Sequence, residues 1–167
     1  GTLIIETTFT TADGVARLTD ALVFPHGQRG HQLGLDVPHE LLRLVEGVSG
    51  TVELEMELAP RPEYGLVRPL FRQTEGGGRT FGGPNQIVVS AGVPVSVADS
   101  TMSASFSVSE GETVGFSIRW VPAEAGQAPW NSPVARMSRR LSWSSGGISV
   151  APCPSNGAFD SSPPSFT

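Results

Sequence analysis

The sequence predicts an all-β fold, an antiparallel two-sheet β-sandwich, and three observations lead there. Several segments alternate apolar and polar residues with period two, as a strand with one buried face requires. Gly 20 and Pro 14 together make about a fifth of the 167 residues, which favours many turns over long helices. No long segment carries the 3.6-residue period of an amphipathic helix.

The alternation places the strands in order. Residues 3–10 and 15–24 are joined by Asp13 and Gly14, a pair suited to a tight hairpin turn. A third strand covers 41–48. Gly47, Val48, Ser49 and Gly50 separate it from a strand at 51–58, where Val52, Leu54, Met56 and Leu58 oppose Glu53, Glu55 and Glu57. Shorter strands follow at 67–73, 86–90 and 93–97. Met102, Ala104, Phe106 and Val108 alternate with serines, and Val114, Phe116, Ile118 and Trp120 continue the pattern. The link Ser109, Glu110, Gly111, Glu112 predicts that these last two pair as an antiparallel hairpin, with Trp120 pointing into the core. Residues 36–40 are compatible with a short helical turn. From Pro122 the character changes: 123–135 is a Pro/Ala/Gly linker and 136–167 a Ser/Gly/Pro tail expected to be disordered.

Composition narrows the function classes. A net charge of −5 gives no electrostatic case for nucleic acid or an anionic membrane. No apolar run approaches the roughly 18 residues of a spanning helix, and no signal peptide is visible. Cys153 is the single cysteine, which excludes an internal disulfide and is compatible with a reducing, cytoplasmic location. All eleven basic residues are Arg, the mark of a GC-rich genome.

Each cluster with chemical potential has a plainer reading. His26, His31 and His39 lie close together, but no cysteine or carboxylate pair completes a ligand set, so an exposed loop is expected and no metal or cofactor is assigned. Glu75 to Pro84 is Gly-rich without the Gly-Lys-Ser/Thr of a phosphate-binding loop, and predicts a long hairpin loop. Glu53, Glu55 and Glu57 would sit roughly 6.5–7 Å apart along one strand face, as in any acidic solvated strand. Nothing in the sequence supplies the desolvation a catalytic acid needs. Tyr64, Trp130 and Phe71 are the aromatics available to stack on a sugar ring. No catalytic residue emerges.

Three stretches resemble the N-terminal domain of bacterial trehalase- and glucoamylase-type enzymes, the family 15 glycoside hydrolases. They are Leu3-Ile4-Ile5-Glu6-Thr7-Thr8-Phe9 with Leu18-Thr19-Asp20, then Leu42-Arg43-Leu44-Val45-Glu46-Gly47-Val48-Ser49-Gly50 running through Tyr64-Gly65, and Glu110-Gly111-Glu112 with Trp120. The resemblance covers 1–122 and implies a β-sandwich that packs on an (α/α)-barrel hydrolysing trehalose or α-glucosides. The family domain begins before the first of these stretches, so the sandwich is expected to be incomplete at its N-terminus. The barrel's two catalytic glutamates match no position here, and the expected role is a non-catalytic accessory domain. The candidate interdomain surface is Arg61, Glu63, Tyr64 and Arg68 with the 76–83 loop. Arg and Tyr suit such a surface because they combine directed hydrogen bonds with contact area. The plainer alternative is that Pro60, Arg61 and Pro62 end a strand and Tyr64 packs on it. A stand-alone module binding α-glucan or trehalose, and a truncated gene product without function, are the competing readings.

The tail departs from the family, which continues with a charged helix rich in Phe and Trp. Joining the last base of each codon to the first two of the next, from Arg136 onward, permits Asp-Val-Glu-Glu-Thr-Val-Val-Val-Phe-Trp-Arg-Asp. A frameshift near Ala135 or Arg136 would therefore account for the tail, and a genuine low-complexity tail is the alternative. The nucleotide sequence decides between them.

Overall fold

The computed structural model describes residues 4–24, 30–32, 37–83, 85–122, 143–144 and 147–148. Strands β1 (Ile4–Thr10) and β2 (Gly14–Leu22) form the predicted hairpin. Its turn closes locally: the Thr11 N–H donates to the Gly14 carbonyl at 2.9 Å. The Thr11 hydroxyl oxygen also accepts the Asp13 and Gly14 N–H groups at 3.2 and 3.1 Å.

The organising element is β3 (Glu40–Leu58), 19 residues long. Sequence reading separates it into two strands at Gly47–Gly50; the structure runs it through as one strand that changes sheets there. Residues 40–46 pair with β9 (Thr113–Pro122), while the other edge of the first half pairs with β2. Residues 51–58 pair with β8 (Thr101–Ser109). At the corner Val15 faces Ser49 and Ala16 faces Gly47, leaving Val48 as the extra residue of a β-bulge. Gly50 takes φ 61, a left-handed conformation open to glycine at little cost.

The remaining strands complete two layers. One layer runs β1-β2-β3-β9-β6-β5-β4, with β4 (Leu70–Thr74), β5 (Gly77–Phe81) and β6 (Asn85–Ala91). The second holds the far half of β3, then β8 and β7 (Ser96–Ala98). All pairings between these strands are antiparallel. The layers are laced along their other side, where the Phe71 N–H donates to the Asp99 carbonyl at 2.8 Å. The Gln73 side-chain amide reaches the Val95 carbonyl at 3.0 Å. β3 bridges one side and this seam the other, and among the described strands β1 pairs with β2.

Two apolar clusters fill the sandwich. Ala16, Val45, Val52, Val108 and Phe116 form one beside the corner; Phe71, Val89, Val95, Met102 and Ala104 form the other. Each draws residues from both layers, which makes burial between the layers the main stabilising term. Phe106 meets Phe116 with ring centroids 5.6 Å apart.

Several expectations are corrected. β8 and β9 do not pair as a hairpin. The turn between them is bound to the corner instead: Gly47 N–H donates to the Glu112 carbonyl at 3.0 Å, Gly111 N–H to the Gly47 carbonyl at 2.9 Å and Glu110 N–H to the Gly50 carbonyl at 2.9 Å. That attachment sends the two strands into different layers. The Gly-rich 75–84 segment is not one long loop, because β5 runs through it and pairs with β4 and β6. Trp120 is 40 % exposed, at the end of β9, with His39 edge-on at 5.5 Å. Residues 37–39 hold no helical turn; the short 3₁₀ turn lies at Gly30–Gln32.

The 123–135 linker and most of the 136–167 tail lie outside the described residues. Within the tail, β10 (Trp143–Ser144) and β11 (Gly147–Ile148) make a short antiparallel pair. Among the described residues no helix is long and apolar enough to cross a membrane.

Two cross-strand ion pairs tie β2 to β3. Arg43 reaches both carboxylate oxygens of Asp20 at 2.8 Å. Those hydrogen bonds, with added charge attraction, hold the Arg43 guanidinium above its ordinary pKa despite partial burial, so it stays charged. Arg17 meets Glu46 at 2.9 Å through one oxygen, with both side chains over 40 % exposed. We expect Asp20→Asn to cost about 1–2 kcal/mol and Glu46→Gln less than about 0.5 kcal/mol. Urea unfolding of the two variants checks this; equal losses would deny the bidentate pair its larger share.

Candidate interdomain interface

The segment joining β3 to β4 carries the sequence-predicted surface. Pro60 and Pro62 cannot donate backbone hydrogen bonds, so the strand ends and the chain turns out. A single 3₁₀ turn, Glu63–Gly65, forms the tip. The Gly65 N–H donates to the Arg61 and Pro62 carbonyls at 3.2 and 3.1 Å. The Leu66 N–H donates to the Glu63 carbonyl at 3.0 Å, and the Val67 N–H to the Pro62 carbonyl at 3.3 Å.

Glu63 and Tyr64 both have positive φ, 52° and 55°. Left-handed backbone costs a residue with a Cβ roughly 1–2 kcal/mol, and two occur in succession. The strain serves no packing within the domain. Tyr64 is 105 % exposed and Leu66 86 % exposed. Tyr64 therefore does not pack on the strand end, and an aromatic and an aliphatic side chain stand outward on a hydrogen-bonded tip.

Of the four predicted residues, Arg61, Glu63, Tyr64 and Arg68 are all exposed on this one segment. The Arg61 guanidinium donates to the Pro60 carbonyl at 2.9 Å, which holds its stem along the turn. The 76–83 stretch divides. Its far end approaches the tip segment, since Val67 Cγ1 lies only 3.6 Å from where a Cβ on Gly83 would be. Its near end is remote in the sheet, with Gly77 paired to Ser90.

Sequence reading included Phe81 only as part of the 76–83 stretch and missed Leu70 and Arg72. Leu70 and Phe81 face each other across β4 and β5, 44 % and 41 % exposed, and Arg72 lies over the Phe81 ring at 5.4 Å. The available signal was Phe81 itself, an aromatic inside a stretch taken for a loop. Tyr64, Leu66, Leu70 and Phe81 are thus exposed on this segment and the two strands that follow it, with Arg68 and Arg72 also exposed among them. These residue types suit an interface.

The other candidates resolve differently. Phe71 is 6 % exposed within the second core cluster, so it cannot stack on a sugar. Trp130 and His26 lie outside the described residues. His31 is exposed on its turn, and among the described residues no group of three or more His, Cys, Asp or Glu could hold a metal ion. Glu53, Glu55 and Glu57 are exposed, opposite Ser107, Ser105 and Ser103. No protein-family model and no curated protein matches the chain.

Proposed function

We propose that this chain is a non-catalytic accessory domain of a glycoside hydrolase acting on trehalose or α-glucosides, and that it packs through the Tyr64 tip on a catalytic (α/α)-barrel. The observation carrying this reading is the strained display of Tyr64 and Leu66. A backbone that holds two left-handed residues and presents Tyr64 and Leu66 to solvent closes its own turn with hydrogen bonds but buries neither side chain. A partner surface that buries them would offset the strain. The partner class comes from the three sequence stretches similar to the family 15 N-terminal domain. The β-rich fold is compatible with it.

The test mixes the chain with an isolated family 15 (α/α)-barrel and measures binding by calorimetry and the thermal midpoint of each partner. Binding that raises the midpoint, and that falls at least tenfold in Tyr64→Ala, is the expected result; a typical anchor truncation costs about 2 kcal/mol or more. No binding, or binding indifferent to Tyr64, would sink the proposal. The sugar-binding alternative has one supporting observation, the fully exposed Tyr64 ring. Titration with maltooligosaccharide and with trehalose to millimolar concentration decides it, since a stacked ring changes its fluorescence.

A further inference from the structure

We propose that the second half of β3 is a strand-docking edge, where an extended segment of a partner, alternating apolar and basic residues, adds to the smaller layer. This edge is a different feature from the Tyr64 tip. Among the described strands the larger layer runs across seven and the smaller across three, the far half of β3, β8 and β7. Part of the larger layer's core face is left uncovered. Phe9 lies opposite the buried Ala16 and Ile5 opposite Asp20, so both share the face of Ala16, yet they are 40 % and 68 % exposed. Alternation puts Leu22 on that face of β2 and Trp120 on the face of the buried Phe116 in β9, at 49 % and 40 % exposure.

The hydrogen-bond phase shows where the smaller layer can grow. Glu110 donates to Gly50 at 2.9 Å, in register with Thr51 opposite Ser109. The bonded pairs of β3 and β8 are therefore those of Val52, Leu54, Met56 and Leu58. The N–H and C=O groups of Thr51, Glu53, Glu55 and Glu57 point away from β8. Thr51 follows this phase, its N–H donating to the Asp13 carbonyl at 3.1 Å. No pairing among the described residues reaches Glu53, Glu55 or Glu57 on that side. Their backbone groups are the template on which a further strand can bond.

The side chains of this edge select the occupant. Glu53, Glu55 and Glu57 are exposed on the outer face, and among the described residues none is in an ion pair. Leu54, Met56 and Leu58 alternate with them on the core face and are only half-buried. A strand bonded here places one set of side chains opposite the glutamates and the other opposite Leu54 and Met56. Lysine or arginine complements the first and apolar residues the second. A second copy is a poor occupant. The bonding phase sets odd-numbered residues of this edge against odd-numbered ones, so each antiparallel register overlapping all three glutamates opposes glutamate to glutamate. The charges that bar self-pairing are the ones that select a basic strand.

An NMR titration of the full chain tests this with two blocked heptapeptides, one alternating lysine and valine and one alternating glutamate and valine. The lysine peptide is expected to bind, shifting the amide resonances of 51–58 and slowing exchange of the Glu53, Glu55 and Glu57 N–H groups. The glutamate peptide is expected not to bind. Glu55→Pro removes an outward N–H that β8 does not use, so β3 and β8 stay paired while peptide binding is lost. Glu55→Lys weakens the lysine peptide about fivefold or more. Circular dichroism melts near wild type establish that both variants are folded. Absence of binding at millimolar lysine peptide would overturn the proposal. So would equal binding of the two peptides, shifts confined to residues outside β3 and the strands beside it, or binding that Glu55→Lys leaves unchanged.

Discussion

Replacing Gly47 with valine is expected to unfold the domain. A Cβ at this position would lie 2.0 Å from the Ser109 carbonyl oxygen and 2.5 Å from its carbonyl carbon, both backbone atoms. Neither can swing aside as a side-chain tip would. The atoms in conflict belong to the turn that sends β8 and β9 into separate layers, and the Gly47 N–H and carbonyl each bond to that turn. Opening the corner would part the layers over the first core cluster. The loss should exceed about 4 kcal/mol, a large share of the roughly 5–15 kcal/mol that holds a domain folded. Gly111→Ala is the control. Its φ is +81° with nothing within 4 Å, so it meets strain without a clash, at about 1–2 kcal/mol. Circular dichroism melts of both variants check the contrast; a Gly47→Val protein melting near wild type would refute the corner geometry.

Phe116→Ala carries the second large effect. The ring is 2 % exposed in the cluster beside the corner and meets Phe106 from the opposite layer. Truncation removes its burial and leaves a cavity between two sheets that cannot fully close, at about 3–5 kcal/mol. The thermal midpoint should fall on the order of 10–20 °C. Phe81→Ala, at 41 % exposure with Arg72 over its ring, should cost no more than about 1 kcal/mol. Comparable losses at the two sites would place the core elsewhere.

Strand periodicity was legible because burial on one face imposes it directly. The β1–β2 hairpin could be read from its turn chemistry, and the inward set Val52, Val108 and Phe116 from alternation. The identity of each strand's neighbour was less accessible. β8 and β9 have the pattern and the short link of a hairpin, and only the corner at Gly47 and Gly50, some 60 residues earlier, separates them. β5 was hidden by its own packing. Gly77 and Gly78 read as a loop, yet a Cβ on Gly77 would strike the Val89 carbonyl, and one on Gly78 would meet the Met102 methyl at 2.5 Å. Gly77 lets the Val89 backbone approach, and Gly78 makes room for Met102, the largest fully buried side chain among the described residues. A sequence does not show what lies across a sheet from a glycine. The four interface candidates could be named from residue type, but the left-handed turn that raises Tyr64 could not, since neither Glu63 nor Tyr64 favours it.

The passage of β3 through both layers also bears on how the chain assembles. During synthesis β1, β2 and the first half of β3 can pair as soon as they emerge, because their contacts are local. The remaining edge of β3 must wait: Thr51 bonds to Ser109, 58 residues later, and Glu40 accepts from Ser117, 77 residues later. Contacts this distant carry a large loop-closure cost and slow folding. Until β9 is complete the nascent chain holds a three-stranded meander in which the β3 edge waits for its partner, a period in which a holding chaperone would find an extended strand to grasp.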